Sequence, residues 1–116
     1  MTDNLEGRMP DLQQVRACAD AILAIGDPTN YKIIEYILKE NKAAFGEIKM
    51  ELNIKYNNEL QYHLKILKSN NLVAQKYARG PYFIPAESKN FIDRIAQISR
   101  NLADKFPEKT EDSIKN

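Results

Sequence analysis

Two periodicities meet at Asn70-Asn71, and that junction limits the fold more than any other feature of the chain. Before it, Leu60, Leu64 and Leu67 recur at spacings of four and three, the stripe of an amphipathic helix. After it, Val73, Gln75 and Tyr77 alternate with Leu72, Ala74 and Lys76, the two-residue period of a strand. Ala78-Arg79-Gly80 reads as a turn, with Gly80 supplying permissive backbone, and Pro81-Tyr82-Phe83-Ile84 returns as the partner strand. A helix over 57–69 therefore runs directly into a β-hairpin over 72–84 with a basic tip. Asn58 followed by Gln61 resembles a capping box at the helix start, and Asn70-Asn71 ends it because asparagine tolerates left-handed backbone angles.

The segments on either side are helical. Pro10-Asp11 opens a first helix whose apolar residues Leu12, Val15, Cys18, Ala19, Ile22 and Leu23 keep helical spacing, and Gly26 is placed to end it. Asp27-Pro28 is a start signal: the carboxylate can cap free N–H groups, and proline fits a first turn. The second helix should bury Tyr31, Ile33, Ile34, Ile37 and Leu38 and end near Asn41. Ala43-Ala44-Phe45 can pair as a short strand. Residues 46–52 suit a short helix with Ile48 and Leu52 inward, and Asn53-Ile54-Lys55 reads as a tight turn with one buried residue. After Pro85 a last helix over 87–103 carries Phe91, Ile92, Ile95, Ile98 and Leu102 on one face.

With 116 residues the chain has the size of one domain. Residues 1–10 are expected to be disordered, 11–104 to form the domain and 105–116 to be a flexible charged tail. No apolar run is long enough to span a bilayer, and the polar start MTDNLEGRMP has no apolar core of a signal peptide, so a cytoplasmic protein without membrane contact is expected. One cysteine permits no internal disulfide; Cys18 is expected to be a small buried hydrophobe. Cys18 and the single histidine, His63, cannot by themselves supply four zinc ligands, so no metal and no cofactor are expected. There is no catalytic constellation around His63 and no glycine-rich phosphate loop, which speaks against an enzyme. The net charge is only +1, yet residues 41–80 hold seven bases and three acids, which suits a polyanion.

Taken in order, the elements read α-α-(β)-α-α-β-β-α: a mainly helical α+β chain with the layout of a winged helix-turn-helix. The stretch AFGEIKMELNIKYNNELQYHLKILKSNNLV resembles the arsenical-repressor-like (ArsR-like) family of small dimeric regulators. Asp27-Pro28 matches the family's opening of the second helix, and Gly46-Glu47-Ile48 its small-glutamate-leucine segment. His63-Leu64-Lys65-Ile66-Leu67 matches the core of its recognition helix, and Asn71-Leu72-Val73 its closing turn, with asparagine for glycine. The resemblance covers about residues 11–103. It implies a homodimeric transcriptional regulator that binds double-stranded DNA. The paired-cysteine motif of the metal-sensing members has no counterpart here, so the resemblance implies a metal-independent one.

In a helix-turn-helix the second helix enters the major groove. Setting successive residues about 100° apart puts Leu60, Leu64 and Leu67 inward and Asn58, Gln61, Tyr62 and Lys65 outward, with His63 at the edge of the buried stripe. Asn and Gln can bond adenine bidentately and Lys can donate to guanine, so this face suits base reading. Asn57 belongs to the same end of the helix. Lys49 and Lys55 flank it and are expected on phosphate; Lys76 and Arg79 in the wing, 76–82, are expected on the backbone or in a minor groove. His63 is expected to pack or to bond a phosphate.

The first and last helices carry more apolar residues than one small domain needs. In the resembling family they pack against their symmetry mates, which implicates Leu12, Val15 and Ile22 with Phe91, Ile95, Ile98 and Leu102. Such a dimer sets two recognition helices roughly 34 Å apart, so a palindromic site is expected. Two other readings of the same fold stay open: a winged helix that binds protein, and one that binds RNA.

Overall fold

A computed structural model describes residues 9–105. The expected disorder of 1–10 therefore falls mostly, and the tail from Phe106 wholly, outside the described residues. In chain order the elements are α1 (Leu12–Gly26), α2 (Pro28–Glu40), α3 (Phe45–Glu51), α4 (Asn57–Ser69), β1 (Ala74–Gln75), β2 (Tyr82–Phe83) and α5 (Ala86–Lys105). They fall into two compact units, Met1–Pro85 and Ala86–Asn116.

In the first unit, Asp11 caps α1 through a reciprocal box. Its carboxylate accepts from the Gln13 N–H at 3.4 Å, and its own N–H donates to Gln14 Oε1 at 3.1 Å. Pro28 stops α1 by holding Asp27 in the extended region (φ −71°, ψ 127°). Asp27 then caps α2, its Oδ1 accepting from the Asn30 N–H at 3.0 Å. Gly26 departs from expectation: it is the last residue of α1 and has no positive φ. Asp27 closes that end by donating its N–H to the Ala24 carbonyl.

α1 packs on α2, and both pack on α4. The core holds Ile33, Ile34 and Ile37 of α2, Ile48 of α3, and Leu60, Leu64 and Leu67 of α4, with Leu72, Val73 and Ile84 around the hairpin. α1 contributes Ala21, Ala24 and Ile25 rather than its larger side chains. Small residues let two helices approach closely, and the bulky ones are left on the far side. This overturns three expectations. Cys18 is exposed rather than buried, and Tyr31 and Leu38 of α2 point to solvent, because Asn30 takes the inward place that Tyr31 was expected to fill.

α3 begins at Phe45, capped by Glu47, whose Oε1 accepts from the Ala44 N–H at 2.7 Å. Asn53 turns the chain with φ 55°, and Ile54 is half-buried. α4 starts after Tyr56, which gives no side-chain cap, so the Asn58–Gln61 capping box does not form. Asn71 ends the helix region at φ 59°, as its residue type suggested.

β1 and β2 pair antiparallel with Ala74 opposite Phe83 and Gln75 opposite Tyr82. Of the Ala43–Phe45 stretch only Ala43 pairs, exchanging two backbone bonds with Tyr82 (3.0 and 2.8 Å), while Phe45 joins α3. The hairpin is shorter than the alternating pattern implied. Its turn also differs: the left-handed residue is Arg79 (φ 65°), not Gly80. At Gly80 the side chain of Tyr77 fills the space instead: a Cβ there would lie 2.8 Å from the ring, which would have to move.

The second unit is described by α5. It is a 20-residue helix with Glu87 in its first turn and Lys105 in its last, charges that suit the helix dipole. Ile92 is buried, Phe91 and Ile95 are half-buried, and Ile98 and Leu102 are exposed.

Candidate nucleic-acid interface

α3, the Leu52–Tyr56 turn and α4 make the helix-turn-helix, and the α4 stripe fixes which face is free. Leu60, Leu64 and Leu67 are all but sealed from solvent, so Asn57, Asn58, Gln61, Tyr62 and Lys65 are exposed together on the other side. Tyr62 is 62% exposed, a large aromatic face held in water. Of the flanking lysines, Lys49 is half-buried on α3, while Lys55 is exposed in the turn. Its Nζ lies 5.5 Å from the centroid of the Tyr56 ring, within cation–π range. Lys76 and Arg79 are exposed on the hairpin.

His63 faces inward and works as a structural bond. Asn30 is the buried polar side chain of the core among the described residues, and its amide bridges two elements. Its Nδ2 donates to the Ala24 carbonyl at 3.0 Å, which leaves Oδ1 as acceptor toward His63 Nδ1 at 2.8 Å. The imidazole thus carries its proton on Nδ1, with Asp27 Oδ1 at 3.8 Å and the Tyr62 ring edge-on at 5.3 Å. The network ties α4 to the corner between α1 and α2. Of the two roles expected for His63, packing is the one this geometry serves.

Beside Gln61 and Lys65, the structure brings Lys68 and Tyr82 to this side of α4, neither of which stood out in the sequence. Gln61, Leu64, Lys65, Lys68, Ser69 and Tyr82 line an open groove of about 440 Å³ between α4 and the hairpin. It offers two ammonium groups and no carboxylate, and burial pushes the Tyr82 phenol above its ordinary pKa. A second open groove of about 510 Å³ on α2 and α3 sets Lys32 and Lys39 against Glu35 and Glu51, and so offers a polyanion nothing. Helical spacing could have found Lys68, three residues beyond Lys65. Tyr82 could not be placed, because its position depends on the hairpin folding back.

Of the apolar side chains expected at a dimer interface, Leu12 (62%), Val15 and Ile22 on α1 and Ile98 and Leu102 on α5 are exposed in the single chain, while Phe91 and Ile95 are half-buried. No described helix is long and apolar enough to cross a membrane.

No protein-family model matches the sequence, and no curated protein matches it. Among solved structures the chain is similar to HlyU from Vibrio cholerae N16961, with a TM-score of 0.60 and 20% identity over 76% of this chain and 97% of that one. The likeness establishes the fold as an α+β winged helix.

Proposed function

We propose that the chain is a homodimeric, ArsR-like transcriptional regulator that binds double-stranded DNA without a metal. The observation that carries this reading is the exposed α4 face. Asn58, Gln61, Tyr62 and Lys65 share it, Glu59 at its edge is the single carboxylate of the helix, and Lys55, Lys68, Lys76 and Arg79 surround it. Gln61 and Tyr62 read base edges in the major groove; Asn57, Asn58 and Lys65 assist at bases or phosphates; Lys49 and Lys55 hold the backbone; Lys76 and Arg79 hold the backbone or a minor groove. The uncovered apolar residues of α1 and α5 meet those of a second copy, and two-fold symmetry then calls for a palindromic site.

Selection from a random duplex library, followed by binding measurements on the selected site in rising salt, tests the reading. A palindromic site bound more tightly than scrambled duplex, with affinity falling steeply as salt rises, is the expected result. Equal binding to any duplex, or preference for single strands or RNA, would refute it. Light scattering at micromolar concentration should give a dimer, and a monomer would remove the two-fold argument.

A further inference from the structure

We infer that Gln75 is the positioning residue of the wing: its side-chain amide ties the turn that carries Arg79 to the recognition helix. The inference rests on the proposed DNA-binding role for its functional half and on geometry alone for the tether. Gln75 lies on β1, half-buried, and uses both ends of its amide. Its Nε2 donates to the Gly80 carbonyl at 2.7 Å, and its Oε1 accepts from Lys68 Nζ at 3.0 Å. The orientation of the amide follows from its partners. Turned over, it would set oxygen against the Gly80 carbonyl and NH2 against an ammonium, and both contacts would repel. An ammonium on the oxygen also polarises the amide and strengthens its N–H as a donor to Gly80.

The turn needs such a restraint. Arg79 carries a side chain at φ 65°, a conformation that costs a non-glycine residue and persists only where the surroundings enforce it. The local backbone supplies one bond, from the Gly80 N–H to the Tyr77 carbonyl at 3.0 Å. Gln75 supplies the other restraint and anchors it on α4 through Lys68. The backbone that carries Arg79 is thereby set at the tip before DNA arrives, and wing and recognition helix present one pre-formed surface. A pre-formed contact spends less of its binding energy on ordering.

The test has one arm without DNA and one with it. In the free protein, Gln75→Leu loosens the turn by about one ordinary hydrogen bond, so the Gly80 N–H, held on the Tyr77 carbonyl, should open and exchange roughly fivefold faster or more. The amides of Leu64 and Leu67 should be unaffected, which also shows that the variant is folded. Gln75→Glu keeps an acceptor for Lys68 but cannot donate to Gly80, and should free the turn as Gln75→Leu does. In the second arm, Gln75→Leu should weaken duplex binding in the wild-type background and have no further effect in an Arg79→Ala background. Unchanged Gly80 exchange overturns the tether whatever the DNA result. Faster exchange with additive losses in binding overturns the claim that Gln75 acts through Arg79. A wild-type protein that ignores duplex DNA counts against the proposed function, and the exchange arm then decides the tether alone.

Discussion

α4 and the hairpin are neighbours in sequence and share one proposed ligand, but they are built by different rules. α4 runs over the expected residues, 57–69, with each of its three stripe leucines buried. The hairpin shrinks to two residues per strand, and its turn puts the strain on Arg79 rather than on glycine. A helix closes its bonds within itself, so its sequence period is nearly the whole instruction. A hairpin this short is held from outside. Ala43 pairs with Tyr82, Lys68 and Gln75 grip the turn, and Tyr77 covers Gly80. Damage to α4 should therefore be global, and damage to the hairpin local.

The largest effect should come from the helix. Leu64→Ala removes a buried side chain from the core and should cost about 2–5 kcal/mol, read as a loss of cooperative denaturant stability. An effect below about 1 kcal/mol would mean that the stripe is not the core. Next is the polar bond beneath the helix. Asn30→Ala removes one of the two donors to the Ala24 carbonyl and strands His63 Nδ1, and should cost about 1–3 kcal/mol by the same measurement. A neutral result would mean that the network does not hold α4 to the corner between α1 and α2.

Hairpin changes should be smaller, and one should have the opposite sign. Arg79→Gly relieves a left-handed residue and should raise stability by up to about 1 kcal/mol while weakening DNA binding. A stability loss would show that the Arg79 side chain itself supports the fold. Gly80→Ala should cost less than about 1 kcal/mol, because the Tyr77 ring it would meet is 66% exposed and can swing aside. A larger loss in thermal unfolding would make the Tyr77–Gly80 contact a fixed part of the turn.

The same contrast explains what the sequence let through. Helix boundaries at Asp27-Pro28 and Asn41 were legible because caps and breakers act within a few residues, whereas the cap expected at the start of α4 does not form. The outward set Gln61, Tyr62 and Lys65 was legible because helical spacing fixes it once the stripe is known. The turn was misread because glycine is the usual left-handed residue, whereas here the Tyr77 ring uses the space that the missing Cβ leaves. Cys18 and Tyr31 were misread because apolar spacing says that a helix has a face but not which partner covers it. Asn30 could not be read as buried, since its two partners lie 6 and 33 residues away. The role of Gln75 depends on Lys68 and Gly80 arriving together, which no local pattern announces.

The proposed division of labour is that α4 reads sequence while the wing supplies affinity. It is tested most directly by salt titrations of Gln61→Ala and Arg79→Ala on a selected duplex and on its scrambled counterpart. Gln61→Ala should shrink the gap between the two duplexes, by as much as the roughly 1–3 kcal/mol of a good bidentate base contact. Arg79→Ala should weaken both alike and flatten the salt dependence by about one phosphate contact per subunit. An unchanged gap for Gln61→Ala, with unchanged affinity and salt slope for Arg79→Ala, would contradict the account.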